Sequence, residues 1–199
     1  MHAQIFEAYD RICRQWSVCG DVLEVGAVAH EQTLLQLPAL ASAKSRTGVN
    51  LDGPHACDGF DIKKGNANAM PEFADGSFDA VLSNATLEHD PRFWLSLAEM
   101  KRVLKPGGLL VIGIPGYGAM NSLPLAGLAR VLKNIPAFRR MSDAMRASAP
   151  TIGVHNYPGD YYRFSEQAVQ EVFLDGCEDC DVMRVLEPPR FIGIGRKSG

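Results

Sequence analysis

Polar side chains close successive apolar runs along this chain, and their order suggests chemistry. Glu24 and Gly26 end the run Val22–Val25, Asn50 and Asp52 end a second, and Asn66 follows a third. In an open parallel sheet such positions collect along one rim, beyond the carboxyl ends of the strands, where ligands bind. A dinucleotide fingerprint needs glycine at 26, 28 and 31, but the chain has Gly26, Val28 and Glu31. A glutamate at that helix start would also repel a pyrophosphate. A cationic, phosphate-free ligand fits better. Glu24 offers a carboxylate to an ammonium or sulfonium, Asn50 and Asp52 offer hydrogen bonds to ribose hydroxyls, and Asn66 offers an amide to an adenine edge. Each has a plainer reading: Glu24 as a cap on neighbouring backbone, Asp52-Gly53-Pro54 and Asn66 as turns.

A second set lies downstream. His89 has a pKa suited to proton transfer near neutrality, or else orients its own turn through a hydrogen bond. The segment His155–Phe164 (HNYPGDYYRF) packs polar and aromatic groups densely. His155 or Asp160 is expected to act as base or clamp, Tyr157, Tyr161 and Tyr162 as walls, and Arg163 as an ion-pair partner. Alternatively, Asp160 and Arg163 simply pin the chain to the sheet. Cys177 and Cys180 form a single C-x-x-C with no second pair at comparable spacing, so no metal site is expected. The five cysteines, an odd number, read as free thiols in a reducing compartment.

These residues need a scaffold, and the apolar periodicity supplies one. Ile5, Tyr9, Ile12 and Trp16 recur at helical spacing. Short apolar strands are expected at 22–25, 47–52, 59–63, 78–83 and 108–114, and a helix-prone stretch at 31–37 is cut by Pro38. An amphipathic helix is expected over 91–104, stopped by Pro106-Gly107-Gly108. A helix from Ser165 to Phe173, capped by the serine, precedes a closing antiparallel pair at 181–186 and 191–196. Alternating strand and helix with near-continuous apolar strands predicts a parallel α/β sheet covered on both faces.

The 199 residues carry 20 basic and 23 acidic side chains, which gives no overall argument for a nucleic-acid partner. No apolar run approaches the ~18–20 residues that span a bilayer, and the N-terminus has no signal-peptide pattern. A cytoplasmic single domain is expected, as monomer or homodimer. Within it, 121–150 stands apart with five basic residues against one acidic. It reads first as part of a helical, lid-like insert at about 116–155. Weak membrane-surface contact is the lesser reading, and a merely solvated helix face the third.

The run Gly65–Pro115, with DGSFD at 75–79, Leu-Glu-His at 87–89 and RVLKPGG at 102–108, resembles class I S-adenosylmethionine-dependent methyltransferases of the small-molecule type. Asp21–Gly26 (DVLEVG) is similar to that family's first motif. The resemblance implies a Rossmann-like, doubly wound seven-stranded sheet of order 3-2-1-4-5-7-6, last strand antiparallel, with helices on both faces. It implies S-adenosyl-L-methionine as cofactor, held by Glu24, Gly26, Ala27, Asn50, Asp52, Asn66, Ala67, Ser83 and Asn84. The expected activity is methyl transfer to oxygen or nitrogen of a small, sugar-containing or anionic acceptor. The eroded glycine loop supports an alternative, a catalytically weak or inactive binding or regulatory protein, while Asp52 stands ready to supply the charge that Asn50 lacks. Val28 and His30 replace family glycines, which a β-branched residue resists at positive φ, and Asn50 stands where an acid is usual.

Overall fold

The computed structural model describes residues 1–30, 33–117, 136 and 159–199. His155, Tyr157 and almost all of the insert expected at about 116–155 lie outside them. Helix α1 (Ala3–Gln15) buries Ile5, Ala8, Tyr9, Ile12 and Cys13 on one stripe. At its N-terminus the His2 ring accepts the Gln4 N–H at 3.3 Å. Strands β1 (Asp21–Val25), β2 (Ser45–Asn50), β3 (His55–Cys57) and β4 (Phe60–Lys64) follow, then β5 (Phe78–Asn84), helix α2 (Phe93–Val103) and β6 (Leu104–Pro115). Glu166–Ala168 (α3) opens a helix that continues as a π-turn over Val169–Phe173, before β7 (Cys177–Val185) and β8 (Arg190–Lys197). The Ser165 hydroxyl accepts the Ala168 N–H at 3.1 Å, the cap that its position before the helix predicts.

The sheet order is β3-β4-β2-β1-β5-β6-β8-β7. From β4 onward this is the expected 3-2-1-4-5-7-6, with β8 antiparallel to both neighbours. The sheet has eight strands rather than seven because β3 folds back against β4 through the Asp58-Gly59 turn, with Gly59 at φ +80°. Three residues are too few for alternation to register, although Asp-Gly between short runs was the available hairpin signal. Elsewhere, boundaries moved. The stretch expected as a helix before Pro38 forms two 3-10 turns, Leu34–Gln36 and Pro38–Leu40. Strand β6 starts at Leu104, directly after α2, and takes Pro106-Gly107-Gly108 into the strand at a register shift against β5.

Both faces of the sheet are buried. Val22, Ala80, Leu82, Leu109 and Val111 pack on the α1 side, while Leu23, Val25, Val81, Leu110 and Ile112 pack with α2 and the α3 helix. Each such large side chain contributes about 1.5–3 kcal/mol by leaving water. The recognisable motifs then lock the opposite edge of the sheet. Arg102 donates to Glu99, Asp75 and the Phe73 and Met70 carbonyls. Asp79 accepts from Lys105 and from the Asp21 N–H. DGSFD and RVLKPGG are therefore one interlocked staple at the edge where β1 and β5 begin. That leaves the carboxyl ends of the strands to carry polar groups.

Candidate active site at the strand tips

At the tip of β1, Gly26 adopts φ +85° and is the one residue of 26–30 with positive φ. A Cβ there would lie 2.0 Å from Thr86 Oγ1. The Gly26 and Ala27 N–H groups both donate to the Val49 carbonyl, at 2.9 and 3.2 Å. Asn50 Nδ2 donates to the Ala27 carbonyl at 2.6 Å. The loop is thus tied to the end of β2, and its turn needs only one glycine. Val28, expected to strain it, has no positive φ and turns its side chain outward, 39% exposed.

Glu24 is almost fully buried. Its Oε2 accepts from the Thr33 hydroxyl and, at 3.2 Å, from the Leu35 N–H, so the carboxyl caps the 3-10 turn that follows the loop. Burial raises its pKa from 4.5 to about 7, against the lowering effect of those hydrogen bonds. Asp52 lies beyond the β2 tip, its N–H donating to Asn50 Oδ1 at 3.3 Å and its exposed carboxylate 3.6 Å from His55 Nε2. Asn66 builds an Asx turn: its Oδ1 accepts the Asn68 N–H at 3.0 Å, and its carbonyl the Ala69 N–H. Ala67, within that turn, packs on the core. Asn68 carries the turn across to Asp90 and Ser96 at the start of α2.

At the tip of β5, the Ser83 hydroxyl donates to the Val25 carbonyl at 3.0 Å, and the Ser83 carbonyl accepts the Tyr9 hydroxyl at 2.5 Å. Asn84 Oδ1 is buried and has no hydrogen-bond partner among the described residues. It stands over Gly113, where a Cβ would meet it at 2.7 Å. An unpaired buried acceptor costs about 1–3 kcal/mol. A group bringing an N–H donor to this tip would recover that, so the residues present fit a ligand with an ammonium or amide.

The next turn forms the other half of the site. His89 Nδ1 meets the Gly159 carbonyl, which requires the proton on Nδ1 in the neutral ring. The Tyr161 and Tyr162 N–H groups both donate to the Glu88 carbonyl, at 2.9 and 3.3 Å. Asp160 and Arg163 form a two-pronged ion pair, with the Asp160 side chain 3% exposed. The pair lies three residues apart within one segment, and it holds the Arg163 pKa above its usual value. Tyr162 stacks on Phe164, meets Phe93 edge-on and donates to the Pro91 carbonyl, placing it in the aromatic core. Tyr161 is 53% exposed.

Glu88 and Arg190 escaped the sequence reading. Glu88 is buried with Oε2 unpartnered among the described residues; its Oε1 lies 3.6 Å from Arg190 Nη2 and 3.9 Å from His89 Nε2. Burial raises its pKa, opposed by Arg190, His89 and Arg163. Arg190 opens β8 opposite Pro115, the last residue of β6, so the charged group sits on the same rim. A single 3-10 turn has no periodicity to reveal which side chain it buries. The only signal was an acid inside Leu-Glu-His, directly after a buried strand.

Residues 23–112 match the family model described as a methyltransferase domain. Among curated proteins, demethylmenaquinone methyltransferase of Renibacterium salmoninarum is 41% identical over 79 residues, 38% of this chain and 33% of that protein. A probable phthiotriol/phenolphthiotriol dimycocerosates methyltransferase of Mycobacterium ulcerans is 46% identical over 54 residues, 27% of this chain and 20% of that protein. The match therefore spans no more than a third of these relatives' own length. Of solved structures, the 1,6-didemethyltoxoflavin-N1-methyltransferase of Burkholderia thailandensis superposes with a TM-score of 0.65 at 16% identity, covering 98% of this chain and 78% of that one. A methyltransferase of Methanosarcina mazei gives 0.61 at 17%, covering 94% and 97%. Sheet order, glycine-turned first loop and matched segment define a Rossmann-like methyltransferase domain. Residues 23–112 thus match a methyltransferase domain, and the fold around them is that of S-adenosylmethionine-dependent methyltransferases.

Proposed function

We propose that this protein transfers a methyl group from S-adenosyl-L-methionine to an oxygen or nitrogen of a small-molecule acceptor. The observation that carries the reading is Asn84 Oδ1 on the β5 tip, unpartnered among the described residues, on the strand that pairs directly with β1 and its Gly26 loop. Gly26, Ala27, Asp52, Asn66, Ala67, Ser83 and Asn84, with Asn50 and Glu24 behind them, line the cofactor side. When bound, the cofactor supplies a methyl group on a positively charged sulfur, already activated for in-line displacement. Asn84 accepts an N–H of the ligand, and the tied Gly26–Ala27 loop presents backbone at close range. The acceptor side is Glu88, His89, Tyr161 and the Asp160–Arg163 pair, with His155 and Tyr157 on the segment leading into it. There a side chain must align the acceptor and take its proton. Asp160 is held by Arg163, so the proton falls to His89, His155 or Glu88.

A similar structure supports a small-molecule acceptor: the Burkholderia thailandensis enzyme holds 1,6-didemethyltoxoflavin and S-adenosylhomocysteine. The inactive alternative drew on Val28 and His30; that Gly26 is the one residue of 26–30 at positive φ supports the active reading over it. Isothermal titration with S-adenosylmethionine and S-adenosylhomocysteine tests the proposal. Saturable binding of both is expected, and no detectable heat at millimolar ligand would overturn it.

A further inference from the structure

Position 50 poses a specific question, because an amide stands where the family resemblance implies an acid. The geometry gives the amide a task that a carboxylate cannot perform. Asn50 Nδ2 donates to the Ala27 carbonyl at 2.6 Å, a contact that an ionised carboxylate would turn into oxygen against oxygen. On its other side, Asn50 Oδ1 accepts the Asp52 N–H at 3.3 Å. The same strand end receives the Gly26 and Ala27 N–H groups on the Val49 carbonyl. Packing leaves the loop little room beyond this clamp: a Cβ on Gly48 would lie 2.5 Å from the Ala27 Cβ.

We infer that Asn50 is a positioning residue, a two-sided clamp that ties the first loop through the Ala27 carbonyl to the turn at Asp52. The inference rests on the cofactor reading above but makes a separate prediction. If residue 50 touched the ribose directly, restoring the family acid would tighten binding. As a clamp, Asn50→Asp loosens it. The ionisable neighbours are Asp52, His55 and Lys64, the last opposite Asn50 in the β2–β4 register, so wild type is measured at each pH as reference.

The experiment titrates S-adenosylhomocysteine into wild type, N50D and N50A at pH 8 and pH 5. Loss of one half-buried hydrogen bond with a repulsion in its place predicts N50D weaker by about tenfold at pH 8. At pH 5 an aspartate of ordinary pKa, about 3.9, is still mostly ionised, so N50D stays weaker than wild type there too. N50A loses affinity at both pH values alike. N50D binding as tightly as wild type at pH 8, or N50A matching wild type, overturns the inference. Wild type failing to bind refutes the cofactor reading instead. The clamp is then judged on the ligand-free protein by amide hydrogen exchange. Faster exchange at Gly26, Ala27 and Asp52 in N50A supports it, and unchanged exchange overturns it. N50A also decides the matter should N50D fail to fold.

Discussion

Glu24→Gln isolates the cost of keeping a carboxyl inside the first loop. In the folded protein Glu24 titrates at about 7, raised from 4.5 chiefly by burial. Because the folded value is the higher one, the folded state binds more protons than the unfolded state between those limits. The stability that Glu24 contributes is complete below about pH 4.5, falls as pH rises towards 7, and is level above. A displacement from 4.5 to about 7 corresponds to about 3 kcal/mol. Glutamine keeps an acceptor for the Thr33 hydroxyl and Leu35 N–H but cannot ionise. The variant should therefore track wild type at pH 4.5, apart from a constant offset for its extra N–H donors. It should then gain on wild type by about 3 kcal/mol at pH 8. For a chain of this size that is about 6–12 °C in melting temperature. Urea unfolding followed by circular dichroism at half-unit pH steps measures it. A difference independent of pH would refute the reasoning, because the carboxyl would then ionise alike in both states.

Three further substitutions test the rim. Gly26→Ala combines a left-handed residue with a Cβ 2.0 Å from Thr86 Oγ1, whereas Gly107→Ala, at φ +74°, meets nothing within 4 Å. Conformation alone costs about 1–2 kcal/mol at either site, so G26A should melt well below G107A and lose cofactor affinity. Equal melting temperatures would show that the loop relaxes. Arg163→Met removes the two-pronged ion pair to the buried Asp160 carboxylate and should lower stability, with part recovered in the D160N/R163M double variant. No recovery in that urea-unfolding cycle would show that the pair is not coupled. Tyr9→Phe removes the hydroxyl bonded to the Ser83 carbonyl and should cost about 1 kcal/mol, read from the same unfolding curves.

What was legible in the sequence divides along physical lines. Periodicity revealed α1, α2 and the buried strands because burial on a face repeats, and the strand order followed from the resemblance. Two of the motifs that carried that resemblance, DGSFD and RVLKPGG, turn out to be scaffold. Arg102, Asp79 and Lys105 staple the edge where the strands begin, far from any chemistry. Glu24 and Asn66 were identified as polar groups at strand ends, but adjacency in sequence does not tell whether a side chain faces a ligand or its own backbone. The structure turns Glu24 onto Thr33 and Leu35 and Asn66 onto Asn68. Glu88 and Arg190 were illegible for a different reason: they meet across the ends of three strands, and no local pattern encodes such a meeting.

The glycine-poor loop shows how one departure from a family pattern can account for another. Three glycines would let a loop choose its path, and a flexible path needs little to hold it. Here Val28 and His30 leave one free hinge, Gly26, so the remaining backbone must be fixed by contacts. Val49 supplies an acceptor for two N–H groups, and Asn50 supplies the donor that the Ala27 carbonyl lacks. An acid at position 50 and valine at position 28 would therefore be a worse combination than either change alone. If that is right, the two departures are coupled. Val28→Gly should then soften the penalty of N50D in a double-mutant cycle, by letting the loop move away from the carboxylate. Strictly additive losses in S-adenosylhomocysteine affinity would mean that the amide and the valine arose independently.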